Sequence, residues 1–181
     1  MKTQIVIISI FFLMPLCIHA QKGYTDKINK FNDNGQKHGL WVDTIHNSFA
    51  LRETYYKNGI ESGIFKQYNL KGRLLILGEY YDGKMCGTWY YFGNYGHLIM
   101  TFKDFSRNTY SIINEEDGKR YVPDYKCYAI SYYPNGNIKE EGLLLWSEGE
   151  SPVSDFSREY GEWKYYDEYG KLIETKNWTT I

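Results

Sequence analysis

Apolar and polar positions alternate along most of this chain with the two-residue period of strands, and large rings take the apolar places at fixed intervals. From Gly87 the residues read GTWYYFGNYGHLIMTF, from Gly161 GEWKYYDEYGKLIETKNW, and from Gly63 GIFKQYNLKGRLLILGEYYDG. Each stretch has a glycine, a ring two places on, tyrosines, a turn closed by glycine, and a leucine two places beyond that glycine. The ring-to-leucine interval is nine in all three: Phe65 to Leu74, Trp89 to Leu98, Trp163 to Leu172. Strand, glycine turn and second strand make a β-hairpin.

The hairpin recurs. Gly35, Gly59 and Gly83 stand 24 residues apart, as do Gly39, Gly63 and Gly87, each of the latter followed two places on by Trp41, Phe65 or Trp89. Gly72 and Gly96 repeat the interval. A period of this size marks an array whose small units bury apolar surface by stacking on neighbours. Asn34-Gly35, Asn58-Gly59 and Asp82-Gly83 predict tight turns between units, and Asn135-Gly136 one within a unit. The turn glycines Gly72, Gly96, Gly136 and Gly170 then step by 24, 40 and 34 residues, so the second half carries two insertions, near 106–123 and 147–158. In the fourth unit the ring position holds Ala129.

The expectation is an all-β fold, an antiparallel meander of stacked β-hairpin repeats over 35–181, with about nine or ten strands. A lead-in segment, 21–34, precedes it. Ile138 to Trp146 reads as the second strand of unit four, and Arg107 to Arg120 as at most one turn of helix.

Alternation assigns the faces. Trp41, Phe65, Trp89 and Trp163 share one, joined by Tyr91 and Tyr165, and are expected to stack along the array as its core. The paired glycines Gly39, Gly63, Gly87 and Gly161 belong to the same structural set. Tyr68, Tyr90, Phe92 and Tyr166, among Lys66 and Lys164, fall on the other face. That face is the candidate binding surface, since aromatics with a polar tip suit protein or carbohydrate partners.

Composition narrows the classes. Aromatic residues make up 18% of the chain, which fits strands rather than helices. The formal net charge is −1 and no long basic run exists, which argues against nucleic acid as a partner. Met1 to Ala20 reads as an export signal: Lys2, an apolar run from Ile5 to Leu16, then Ile18 and Ala20 at the cleavage positions. The run is shorter than the roughly 20 residues of a membrane span, and charges or glycines interrupt every later one. Cleavage before Gln21 would send the chain to the periplasm, the outer membrane or the medium. Acylation at Cys17 is the competing reading, disfavoured by Pro15 and Leu16 before it.

Candidate chemistry is sparse. Cys86 and Cys127 would survive cleavage, and their pairing stays open at this level. His38, His46 and His97 have no close ligand spacing, and a zinc site normally takes three or four ligands. Cys86 with His97 as nucleophile and base lacks any surrounding motif. The carboxylates Glu53, Glu79, Asp82, Asp104, Glu140 and Glu141 would allow a hydrolase pair by chance, yet they read as solvated strand charges. Glu115-Glu116-Asp117 lacks the alternating oxygen ligands of a calcium loop, and Asn177-Trp178-Thr179 is a glycosylation triplet that recurs by chance. No cofactor is expected.

The strings YYKNGIESGIFKQY, YYDGKMCGTWYYF and GEWKYYDEYGKL resemble the MORN-repeat variant of bacterial exported proteins, the YwqK-like group often labelled antitoxin. The resemblance covers about Gly35 to Trp178 outside the insertions. It implies a single curved or twisted sheet of hairpins serving as an interaction or scaffold module. Ala129 and the two insertions depart from the family pattern, and the antitoxin label fits poorly with an export signal. The expected function is therefore that of an exported, non-catalytic module for an unknown protein or cell-envelope partner. The alternatives are a carbohydrate- or peptidoglycan-binding accessory protein and a periplasmic immunity protein. The strands bearing Trp41 and Trp178 are the expected open ends of the sheet, where a second copy would pair.

Overall fold

The computed structural model describes residues 28–45, 50–113, 118–147 and 156–178. The export segment and most of the lead-in lie outside them, as do His46, Glu115-Glu116-Asp117 and much of the second insertion. The elements are β1 (Lys30–Phe31), β2 (Lys37–Ile45), β3 (Ala50–Lys57), β4 (Ile60–Tyr68), β5 (Leu74–Tyr81), β6 (Lys84–Phe92), β7 (Leu98–Arg107), β8 (Ile112–Ile113), β9 (Arg120–Tyr121), β10 (Tyr125–Tyr132), β11 (Ile138–Ser147), β12 (Phe156–Tyr166) and β13 (Leu172–Trp178). No helix occurs among the described residues, so the helical turn considered for Arg107 to Arg120 is replaced by β8 and β9.

All strands except β8 and β9 form one antiparallel sheet in chain order from β1 to β13, with β10 beside β7. The expected meander is present and open, with β1 and β13 as its edges. It has eleven strands rather than nine or ten because the lead-in supplies β1. That strand covers part of β2, so the Trp41-bearing strand is not the end of the sheet as expected.

Turn chemistry sets the register. Asn58-Gly59 and Asp82-Gly83 have φ of 52°, 82°, 51° and 71°, the left-handed pair that a two-residue hairpin needs to match strand twist. Asn34-Gly35 behaves differently from that expectation. Only Gly35 is left-handed, and it closes a five-residue loop in which the Asn32 amide donates to Gln36 O and the Gly35 amide to Asn32 O. The glycines before the rings do another job. Tyr56 pairs with Glu61 and Thr54 with Phe65, four steps on β4 against two on β3. Leu77 pairs with Tyr90 and Glu79 with Cys86, and Gly142 with Trp163 and Leu143 with Tyr160, so β6 and β12 also carry two extra residues. Gly63, Gly87 and Gly161, at φ of 114°, 62° and 68°, absorb these bulges.

The register aligns Trp41, Thr54, Phe65 and Gly78, then Trp89, Phe102, Ala129, Gly142, Trp163 and Lys176, in one row across the sheet. This is face A. A β-carbon at Gly78 would meet the Trp89 ring at 2.2 Å, and one at Gly142 the Trp163 ring at 2.4 Å. Each indole therefore lies flat on the neighbouring strand's backbone, in a place that only glycine leaves free. Trp89 keeps 2% of its surface exposed although no second sheet layer covers it among the described residues. Tyr80, at 5.0 Å edge-on, and Phe65, at 5.4 Å, enclose it, and Phe65, Met85 and Trp89 form the core with Phe102, Phe105 and Trp146 against them.

The first insertion packs on face B, the opposite side, over β10–β12. Tyr110 stacks on Tyr160 at 4.8 Å, Lys126 Nζ sits 4.9 Å above the Tyr110 ring, and the Tyr121 hydroxyl donates to Ser147 Oγ at 2.6 Å. Asn108 closes its base, donating to Tyr110 O and Pro123 O while accepting from the Tyr110 amide. Beneath this cover Leu145 is wholly buried.

Candidate functional site

Every residue proposed for the binding surface from alternation lies on face B. Glu53, Lys66, Leu77, Tyr90, Thr101, Ile130, Glu141 and Lys164 form one cross-strand row. Phe92 stacks on Tyr90, with ring centroids 6.5 Å apart and planes 18° from parallel. Lys66 pairs with Glu53 at 3.4 Å, and Lys164 with Glu162 at 3.7 Å. Tyr68 lines a recess of about 440 Å³ with Leu51 and Leu70. The Tyr166 hydroxyl donates to Glu141 Oε1 at 2.7 Å. That bond to a carboxylate holds the phenol proton and, with burial, pushes the pKa up to about 12.

These residues make two clusters, not one. Tyr90 and Phe92 on β6 are four strand spacings from Tyr166 and Lys164 on β12, roughly 19 Å. Between them the insertion begins its cover. Over β3–β6 face B stays open: Tyr55 is 45% exposed, Ile64 49% and Tyr90 37%.

Face A holds a site that the strand pattern did not assign. Trp41, Phe65, Trp89 and Trp163 are all buried, but the row is interrupted at Ala129, and a cavity of about 500 Å³ opens there. Phe102 and Met100 wall one side, Trp163 and Trp178 the other, with Ser131, Ser157, Glu140, Arg158 and Glu159 as the polar residues. Phe102 on the neighbouring strand pairs with Ala129 and lines the same cavity. The Trp163 indole donates to Leu143 O at 2.8 Å and is fixed by it. Ser131 donates to Glu140 Oε1 at 2.8 Å, and Lys139 lies 3.9 Å from the same oxygen. Glu159 has no hydrogen-bonding or ion-pair partner among the described residues; burial, with the Glu140 charge nearby, raises its pKa despite an opposing effect of Lys176. The substitution at Ala129 was visible as a degenerate repeat; that it faces carboxylates on β11 and β12 depends on register.

The remaining candidates do not assemble. Cys86 lies on face B, its thiol donating to Glu79 O at 3.4 Å, and Cys127 is buried on face A; both are free. Burial holds each thiol above its ordinary pKa, to about 12 for Cys127. His97 packs on Gly93, where a β-carbon would meet its ring at 2.4 Å. No group of three metal-ligating side chains occurs among the described residues, and no helix there is long and apolar enough to cross a membrane. Compared with family models, curated proteins and solved structures, the chain has no match.

Proposed function

We propose that this chain is an exported, non-catalytic binding module of the MORN-variant kind, which docks an extended protein segment on face B of β3–β6. The carrying observation is continuity. On β10–β12 the same face is covered by the chain's own insertion, through tyrosine stacking, a lysine over a ring and a backbone carbonyl that accepts from Arg158 at 3.4 Å. On β3–β6 the same face presents Tyr55, Ile64 and Tyr90, each more than a third exposed. Aromatic and aliphatic side chains at a rigid sheet surface supply contact area at small ordering cost. The partner is therefore a strand or hairpin with tyrosine and aliphatic side chains, chemistry like that of the insertion itself.

A photo-crosslinking residue placed at Tyr90 or Ile64 in cells should trap a protein partner, whereas one at Glu174 on the β13 edge should not. Equal yields from all three positions would overturn the reading. Glycan capture that depends on Tyr90 would replace it with the carbohydrate alternative. Intact mass of the mature protein tests export, with Gln21 as the expected first residue.

A further inference from the structure

The interrupted row on face A is more than a packing defect, because the cavity it leaves has a definite chemistry. Its walls are rings: Phe102 on one side, Trp163 and Trp178 on the other. Trp163 is held by its hydrogen bond to Leu143 O, and the Trp178 indole donates to the Tyr165 hydroxyl at 3.2 Å. The polar residues on this space are Ser131, Ser157, Glu140, Glu159 and Arg158. Two carboxylates, Glu140 and Glu159, line the space. Glu140 is already served by Ser131 and Lys139, but Glu159 is half-buried and has no hydrogen-bonding or ion-pair partner among the described residues.

Lys176 offsets part of the Glu159 charge without forming an ion pair with it. Lys176 Nζ is 3.3 Å from Glu174 and 5.1 Å from the Tyr165 ring centroid. Arg158 borders the cavity, but its guanidinium donates to Ile113 O on the opposite face at 3.4 Å. A carboxylate taken partly out of water and facing a second negative charge gains most from a mobile positive charge, and a neutral polyol leaves that repulsion in place. Indole and phenyl faces add attraction for a cation within about 6 Å of their centroids.

We propose that this cavity binds an organic cation, an ammonium or guanidinium group on a short apolar stem, with the charge at Glu159 and the stem between Phe102 and Trp163. Glu140 contributes a second negative charge at longer range. The site lies on the face opposite the proposed docking surface and does not rest on it.

Calorimetric titration of the full chain with n-butylammonium and n-butylguanidinium tests this, with n-butanol and methyl β-glucoside as neutral probes. The cations should bind and shift the indole N–H resonances of Trp163 and Trp178, leaving those of Trp41 and Trp89 in place. Glu159→Gln should weaken cation binding about tenfold, the effect expected on losing a charge-assisted contact; Glu140→Gln should weaken it less. Ala129→Phe fills the cavity and should abolish binding, and if Phe102 prevents its folding, Glu159→Gln decides alone. N-acetylarginine methylamide identifies the source of the cation. Affinity equal to or above that of butylguanidinium supports one carried on a chain, lower affinity a free small molecule, and both support the site. Neutral probes binding as tightly as the cations, or an unaltered affinity in Glu159→Gln, would overturn it.

Discussion

The two halves of this sheet follow one strand plan and expose opposite faces. In β2–β7 the ring row on face A is filled by Trp41, Phe65 and Trp89, and face B is open over β3–β6. In β10–β13 the row is hollow at Ala129, and face B carries the insertion. A single-layer sheet cannot leave both faces of one strand to water and still gain enough from burial to offset its ordering entropy. Each half meets that requirement on a different side. The first does so with its ring row alone, the second with Trp163 on Gly142 and an added hairpin over Leu145. Exposure has changed face between two stretches built on one repeat plan.

The first half depends most on its rings. Trp89→Ala should lower unfolding free energy by about 3–5 kcal/mol, the usual cost of deleting a buried large aromatic. Phe102→Ala, beside the cavity, should cost clearly less, because part of its surroundings is already empty. Chemical denaturation of both variants measures the difference; equal losses would mean that the cavity is not open in solution. The second half depends on its cover. Leu145→Ala should cost about 2–4 kcal/mol, and hydrogen exchange should then quicken at Ile112 and Tyr121 in the insertion more than at β4 or β5. Uniform loosening would contradict a cover that serves one half alone.

The hairpins and the face of each ring were legible because strand periodicity and turn glycines are local signals; the edge strand β1 was not, since it is only Lys30–Phe31. Ala129 was visible as an interruption of the row. What it opened was not, since Glu140 and Glu159 reach the same space only through the pairing of β10 with β11 and of β11 with β12. The packing roles of Gly78 and Gly142 were not legible for the same reason: each lies against a ring from the next strand. The insertion read as polar loop because its apolar contacts, Ile112 and Tyr110, are few and their partners lie far along the chain. Local pattern carried the meander; non-local register carried the sites.

The smallest effect concerns tyrosines that each half couples to a carboxylate. Tyr56 in the first half donates to Glu61 at 3.1 Å, and Tyr166 in the second to Glu141 at 2.7 Å. Burial chiefly for Tyr56, and the hydrogen bond to Glu141 chiefly for Tyr166, push both phenols from an ordinary 10 up to about 12. A phenol whose folded pKa is raised favours folding fully below pH 10, where both folded and unfolded forms are protonated. Between pH 10 and about 12 the unfolded chain loses its proton first, so this contribution falls as pH rises through that window. Alkaline titration of stability should therefore decline from pH 10 in the parent chain. Tyr56→Phe and Tyr166→Phe should each make the decline shallower, because phenylalanine has no proton to lose. Tyr166→Phe should leave stability near pH 7 almost unchanged, since that hydroxyl is half-exposed and its bond contributes little net against water. Tyr56→Phe should cost more at neutral pH, because its ring packs edge-on against Trp41 at 6.1 Å and Glu61 would lose a partner beside that core. An identical response from the two would show that filled and covered halves shield their polar contacts alike, against the difference that their open faces imply.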